Sequence, residues 1–147
     1  MTATVRLWDG VRAALASAQM TVEMGMRGDA TLVVSDADTA RALGSGDVDV
    51  LGTPRLIALC EEATVSALNG SLDDGTSSVG MRIRVDHLQP TPVGQEVTAE
   101  ATLDKVDGRR LTFTVTVSDK GGLVAAGKIT RALVDRDRFM GKCCSPS

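Results

Sequence analysis

The chain has 147 residues, a length that suits one domain with a substantial hydrophobic core. Its net charge of −3 and its few aromatic residues, one Trp and two Phe, exclude a broadly basic or base-stacking surface for nucleic acid and leave room only for a local basic patch. Three cysteines without CxxC spacing and a single His are too few for a zinc site, so we expect no metal and a reducing, cytoplasmic location.

The two ends of the chain are set apart from its main part. We expect residues 1–20 to form an N-terminal extension, which is either a short amphipathic helix or a flexible N-terminal segment. Asp9 and Arg12 interrupt its apolar stretch, so we do not interpret it as a signal peptide. We expect the main domain to span residues 21–139 and the tail, residues 140–147, to be disordered. No apolar run is long enough to predict a transmembrane helix.

The domain begins with short elements. Residues 30–34 are rich in β-branched side chains and predict a strand. Residues 35–43 begin with Ser-Asp and predict a capped helical turn. A loop of glycine, serine and aspartate, residues 44–47, then leads into a short apolar run at residues 48–51.

Residues 53–69 predict one long helix. Thr53 is a suitable N-cap, and Pro54 follows at the first helical position, where its missing N–H costs nothing. Asn69, followed by a glycine, is typical of a left-handed helix stop. Apolar side chains recur at helical spacing and predict one buried stripe: Leu56, Leu59, Cys60, Ala63 and Ala67.

Two adjacent glutamates on this helix point in different directions. At about 100° per residue, Glu61 lies on the shoulder of the apolar stripe, whereas Glu62 faces solvent. A carboxylate among apolar neighbours is costly to ionise unless it is paired or used. Glu61 is therefore the candidate functional carboxylate, and a half-exposed glutamate at the edge of the stripe is the structural alternative.

After a polar loop at residues 71–78, the pattern changes to period two. Four strands follow, separated by glycine- and proline-containing turns: residues 79–88, 96–106, 111–117 and 123–134. The first strand alternates four apolar residues with polar ones: Val79, Met81, Ile83 and Val85. We expect an antiparallel meander with one face covered by the long helix, an α+β arrangement. A curled sheet wrapped around one central helix, the hotdog fold, and an open α+β sandwich both satisfy this pattern.

Three residues supply the chemistry of an acyl-transfer site. Thr53 offers a hydroxyl, Glu61 a carboxylate and His87 an imidazole. Each has a structural alternative, as a cap, an edge carboxylate and a solvated strand-end histidine. Thr53 and Glu61 are eight residues apart, about 12 Å along one helix, so they cannot touch directly. A site that uses both needs a substrate lying between them.

Four blocks of the sequence resemble the hotdog-fold thioesterases related to fluoroacetyl-CoA thioesterase. They occur in the same order as in that family: residues 44–63, 78–94, 106–113 and 126–132. The second block has a glycine, a histidine seven residues later and a proline-rich turn that ends in glycine. The resemblance extends over residues 24–139 and implies the hotdog fold.

The resemblance also implies roles for single residues. It identifies Thr53, Glu61 and His87 as catalytic, associates the backbone N–H of Gly80 with the substrate carbonyl and assigns Arg131 to substrate binding. In the family these residues meet at a dimer interface, which would remove the problem of reach. The implied protein is a homodimer or larger homo-oligomer that hydrolyses an acyl-CoA or another acyl thioester. It would need no cofactor, metal, nucleic acid or membrane.

Two positions depart from the fluoroacetyl-CoA enzyme. That enzyme has phenylalanines ahead of its threonine that shape the pocket over the fluorinated acyl group, whereas residues 44–50 here contain no aromatic residue. It also has Trp where this chain has Glu62. The resemblance therefore implies the hydrolytic centre without fluoroacetyl selectivity. The small residues before the helix leave room for a longer or branched acyl group.

The role of Glu61 and the type of activity each have alternatives. Glu61 would act either as a base toward water or as a nucleophile through a mixed anhydride, with His87 shuttling protons and Thr53 holding the attacking group. A non-catalytic dimer that binds acyl-CoA or a small ligand, and a hotdog dehydratase or isomerase, are the alternative functions. Four exposed arginines either contact CoA phosphates or are simply solvated: Arg82, Arg84, Arg109 and Arg110.

Overall fold

A computed structural model of the protein describes residues 22–144, so the predicted N-terminal extension lies outside the described part. Within these residues, five strands form one sheet: β1 (Arg27–Val33), β2 (Thr76–His87), β3 (Glu96–Asp107), β4 (Arg110–Asp119) and β5 (Gly122–Asp135). In the same part of the chain, a 3₁₀ turn (Asp36–Asp38) and three α-helices accompany them: α1 (Ala40–Leu43), α2 (Thr53–Ala67) and α3 (Arg136–Cys144). None of the helices within residues 22–144 has the length and apolar character needed to cross a membrane.

The strand order corrects the predicted meander. All neighbouring strands are antiparallel, in the order β1-β3-β4-β5-β2. Only β3, β4 and β5 form a meander, because β2 pairs with β5 at one edge and the chain then crosses to β3. Pro90 and Pro92 lie in that crossing, where they cannot donate ladder hydrogen bonds. Within the described part of the chain, both β1 and β2 are consequently edge strands.

Helix α2 packs its apolar stripe against the sheet, as predicted. Leu56, Leu59, Cys60 and Ala63 are fully buried, and they share one core with the inward-facing side chains of the central strands β3 and β4. The predicted cap is wrong by one residue: Gly52 is the N-cap, so Thr53 is the first helical residue. The helix ends at Ala67. At its start, the hydroxyl of Thr53 faces β2 instead of capping the helix.

A bulge in β2 overturns the predicted alternation. Gly80 pairs with Arg131 and Arg82 pairs with Thr130, so the register shifts between Gly80 and Arg82. Met81 is the extra residue of the bulge. The next residue after Gly80 that faces inward is therefore Ile83. The four apolar residues of this strand do not form the single buried row that we expected. Met81 and Ile83 are 46% and 38% exposed, which leaves apolar surface at the sheet edge.

The C-terminal segment also differs from the prediction of a disordered tail at residues 140–147. Residues up to Cys144 continue as α3. The carboxylate of Asp135 accepts the backbone N–H of Arg138 at 2.9 Å and so caps the helix. Asp137 in the first turn and Lys142 in the last match the polarity of the helix dipole. Residues 145–147 lie outside the described part.

Gly28 offers a test of how closely the helix and sheet approach. A Cβ at Gly28 would overlap the backbone of Ala63 and Ala67 on α2, whereas one at Gly46 would meet only Ala40 Cβ at 3.5 Å. We expect Gly28→Ala to lower the free energy of unfolding by about 2–3 kcal/mol, because neither backbone can move freely. Urea denaturation of this variant and of the control Gly46→Ala measures the effect. Equal stability of the two variants would contradict the close packing.

Candidate active site

Two polar clusters lie where α2 passes the inner face of β2. The two elements run in opposite directions, so the start of the helix meets the end of the strand. Thr53 therefore lies beside His87, and Glu61 lies beside Gly80, one at each end of the contact.

The first cluster is built around a buried arginine. Arg131 on β5 donates from Nη1 to Oε2 of Glu61 at 3.1 Å, and from Nε and Nη2 to the hydroxyl and carbonyl of Ser78, both at 2.9 Å. The side chain of Arg131 is 7% exposed and that of Glu61 is 36% exposed. Burial lowers the pKa of Arg131 and Glu61 opposes this shift, so the guanidinium stays charged. Within residues 22–144, the hydrogen bonds to this carboxylate reach only Oε2, so Oε1 has no hydrogen-bond partner among these residues.

Gly80 completes the first cluster by having no side chain. A Cβ at this position would overlap Oε2 of Glu61 and approach Nη1 of Arg131 to 3.7 Å. The carboxylate thus lies directly against the backbone of β2. Any side chain at this position would displace Glu61 from Arg131. The contact of the Gly80 N–H with a substrate carbonyl stays a prediction.

The second cluster joins Thr53 to His87. Oγ1 of Thr53 lies 2.9 Å from Nδ1 of His87. Burial lowers the pKa of His87, and the backbone of Gln89 acts in the opposite direction, so the imidazole is neutral at pH 7. Nε2 is buried without a hydrogen-bond partner among the described residues. A neutral imidazole in hydrogen-bond contact with a hydroxyl has the arrangement required to move a proton.

A pocket of about 350 Å³ opens beside the second cluster. Thr53 and His87 lie in its wall, and the rest is mostly small or aliphatic, including Gly46, Val48 and Leu88. Among the described residues that line it, none is aromatic. The pocket has the mixed character of a small-molecule site, with a few polar groups set in an apolar wall.

The two clusters remain separate within one chain. No hydrogen bond between residues in the range 22–144 connects the Thr53–His87 pair with Glu61 or Arg131. The structure thus brings the predicted residues together as two groups, not as one constellation. Sequence reasoning missed Ser78, which holds Arg131. Its only signal was its place two residues before Gly80 on the same strand.

Cys60, next to the candidate carboxylate, has no role as a nucleophile. Its thiol is fully buried. Burial, together with the charge of Glu61, raises its pKa to about 11, so the reactive thiolate is scarce at neutral pH. In the part of the chain that the structure describes, no group of three or more His, Cys, Asp or Glu could hold a metal ion.

Comparison with known proteins gives consistent matches. The family model described as "FlK: Fluoroacetyl-CoA-specific thioesterase" matches residues 34–137. A fluoroacetyl-CoA thioesterase of Streptantibioticus cattleyicolor is 35% identical over 94 residues, which are 64% of this chain and 68% of that protein. A solved structure of the fluoroacetyl-CoA thioesterase FlK is 30% identical, with a TM-score of 0.79 over 86% of this chain and 98% of that one.

A further solved structure carries the same fold. The hot-dog-like protein from Thermanaerovibrio acidaminovorans is 26% identical, with a TM-score of 0.77 over 85% of this chain and 93% of that one. These matches confirm the hotdog fold over the open sandwich that the sequence pattern left as an alternative.

His87 is the one histidine of the chain, so its titration can be followed without ambiguity. We expect its pKa in the native protein to lie below the ordinary 6.5, because burial disfavours the charged imidazolium. The unfolded chain then binds a proton more readily than the native one. The stability that this group confers is present above pH 6.5 and is lost as the pH falls through the native pKa.

NMR titration of the imidazole in native and urea-unfolded protein measures the difference. Unfolding experiments at several pH values, repeated on His87→Gln, separate its contribution from that of the carboxylates. A native pKa at or above 6.5 would contradict the burial of this ring.

Proposed function

The chain belongs to the fluoroacetyl-CoA-specific thioesterase family, and from this we propose that it hydrolyses acyl-CoA thioesters with Glu61, His87 and Thr53 at a site shared between two copies. It is a thioester hydrolase of this family. The observation that carries the residue assignment is the carboxylate of Glu61, fixed by Arg131 and pressed against Gly80 at the open edge of the sheet.

Glu61 is the group that activates water or attacks the thioester. Because Arg131 holds Oε2, Oε1 is free to accept a proton from water as its oxygen adds to the thioester carbonyl. The same oxygen could instead attack the carbonyl and form a mixed anhydride, which water then hydrolyses. In either route the C–S bond breaks and the thiolate leaves, so no metal or cofactor is needed.

Gly80, His87 and Thr53 serve the same reaction. We place the Gly80 N–H at the developing oxyanion, where one such donor is worth about 3 kcal/mol. His87 carries a proton to the leaving thiolate, and its contact with Thr53 at 2.9 Å orients the ring. Arg131 is a positioning residue because it acts through Glu61.

A second copy of the chain would unite the two clusters. β2 is a 12-residue edge strand whose outer side pairs with no other strand among residues 22–144. Exposed apolar side chains lie along this edge and on the neighbouring face of α2: Met81, Ile83 and Val65. A long apolar edge strand is a ready site for pairing with another strand. We therefore propose a homodimer in which β2 pairs with β2 of the second copy.

The register of such a pairing supports the shared site. Met81 is the extra residue of the bulge, so seven regular positions run from Gly80 to His87, and Arg84 is the central one. A two-fold axis at Arg84 sets His87 of one copy opposite Gly80 of the other. This pairing places Thr53 and His87 of one copy beside the Glu61 cluster of the other copy. All three catalytic residues would thus surround one thioester.

The same register pairs complementary side chains. Ile83 lies opposite Val85 on the inner face, and Arg82 lies opposite Asp86 on the outer face. The two copies of Arg84 meet at the axis, where the Asp86 carboxylates on either side offset their repulsion.

The acyl group would occupy the pocket beside Thr53 and His87. Its volume of about 350 Å³ and the absence of aromatic side chains from its described wall support an acyl group larger than fluoroacetyl. We accordingly propose no fluoroacetyl selectivity for this chain.

Thiol release from a panel of linear, branched and aromatic acyl-CoAs tests the proposed activity. We expect Glu61→Ala to lower kcat by roughly 10³-fold, because the base or nucleophile is lost. The matched control is Glu62→Ala, whose side chain is 52% exposed and whose nearest cation, Arg55, lies 3.5 Å away. We expect this control to keep near wild-type turnover. Binding of CoA esters without cleavage by the wild type would make the protein a binding module, and an inactive Glu62→Ala would contradict the assignment of Glu61.

Charge reversal tests the pairing of β2. Asp86→Arg would set two arginines against each other on both sides of the axis, and we expect the dimer dissociation constant to rise about tenfold. The double variant Arg82→Asp/Asp86→Arg restores opposite charges and should recover the dimer. Sedimentation velocity measures the association, and thiol release should follow it. If the double variant associates no better than Asp86→Arg, this register is wrong.

A further inference from the structure

Three adjoining cavities lead from the Glu61 cluster to the C-terminal helix. The first, of about 280 Å³, reaches from Ser78, which holds Arg131, to Arg136 at the start of α3. It shares Leu72 and Thr76 with the second, of about 320 Å³. A continuous surface groove thus begins at the residues that position the candidate carboxylate.

The groove continues onto α3. Its second cavity shares Arg109 and Asp135 with a third, of about 70 Å³, whose remaining wall includes Arg138, Phe139 and Lys142. The phenylalanine is 41% exposed, and it is the one exposed aromatic ring in the part of the chain that the structure describes. This end of the groove therefore combines cations with an accessible aromatic face.

The charge of the groove differs from that of the whole protein. Four cations line it: Arg109, Arg136, Arg138 and Lys142. Two carboxylates line it as well, those of Asp73 and Asp135, and the second is engaged in capping α3. None of the ion pairs within residues 22–144 uses any of the four cations. A locally positive surface on a chain of net charge −3 points to an anionic ligand.

We propose that this groove binds the phosphorylated nucleotide end of coenzyme A, with the phosphates on the groove cations and the adenine ring on Phe139. The inference rests on the proposed function, because that function supplies the ligand. Guanidinium groups suit phosphate oxygens, since their planar fork donates two parallel hydrogen bonds. An exposed phenylalanine offers a flat apolar face on which a base can stack.

The placement of the groove fits a thioester held at Glu61. The strand rises by about 13 Å from Gly80 to Thr76, so the cations lie well beyond the reacting carbonyl. The part of coenzyme A that joins the thioester to the phosphates would lie along the wall of the groove that carries the hydroxyls of Ser78 and Thr76. In the proposed dimer the acyl pocket beside this carboxylate belongs to the second copy, so the groove and the acyl pocket come from different copies. The family model matches residues 34–137, so it does not reach Arg138, Phe139 and Lys142.

Calorimetric titration with CoA and with adenosine 3′,5′-bisphosphate tests the proposal without requiring turnover. We expect the double variant Arg138→Gln/Lys142→Gln to raise the Kd of both ligands about tenfold. Phe139→Ala should also weaken both, and Arg109→Gln repeats the test from a different element. The matched control is Arg27→Gln/Lys105→Gln, which removes two exposed cations from β1 and β3 and should leave both Kd values unchanged.

The outcomes separate this inference from the proposed activity. If CoA binds the double variant as tightly as the wild type, or if the control weakens binding equally, the groove is not the nucleotide site. Failure of the wild type to bind adenosine 3′,5′-bisphosphate overturns it as well. Thiol release by the wild type is measured separately. If the wild type hydrolyses acyl-CoA while the groove variant binds CoA as tightly as the wild type, the groove is refuted and the hydrolase assignment stays intact.

Discussion

The buried guanidinium of Arg131 is the constraint on which this architecture depends. A charge at 7% exposure is tolerated only when its donors are satisfied, and the three nitrogens of this side chain reach Glu61 on α2 and both oxygens of Ser78 on β2. One side chain thereby ties together the helix and two strands that are distant in sequence. This contact orients the carboxylate of Glu61 and leaves Oε1 without a hydrogen-bond partner among residues 22–144.

The absence of a side chain at Gly80 is the counterpart of that constraint. The carboxylate lies against the strand only because no Cβ stands in its way. The bulge that follows keeps Ile83 and His87 on the inner face with Gly80, although seven residues separate the glycine from the histidine. An irregularity of one residue therefore decides which side chains share the reactive face. A strand of strict alternation would have turned His87 away from Thr53.

Local patterns predicted the parts of this structure that depend on neighbours in sequence. The apolar stripe of α2 and the different directions of Glu61 and Glu62 follow from helical periodicity, and both agree with the observed exposure. The placement of β2 beside β5 was not predictable in this way, because it depends on pairing over about fifty residues. The bulge leaves no signature in the alternation of apolar residues. The ion pair of Glu61 with Arg131 spans seventy positions, and only the family resemblance suggested that both belong to one site.

The burial of Cys60 has a consequence for how this protein can be inhibited or assayed. Its thiol lies one residue from the candidate carboxylate, yet it is fully enclosed and its pKa is raised to about 11. Alkylating agents and chromogenic disulfides react with thiolates, so they would not modify Cys60, although it is adjacent to the candidate carboxylate. When a reaction that liberates a thiol is followed with such reagents, Cys60 is spared, whereas the exposed Cys143 on α3 stays accessible to them. Covalent inhibitors aimed at this centre would have to modify a carboxylate or an imidazole instead.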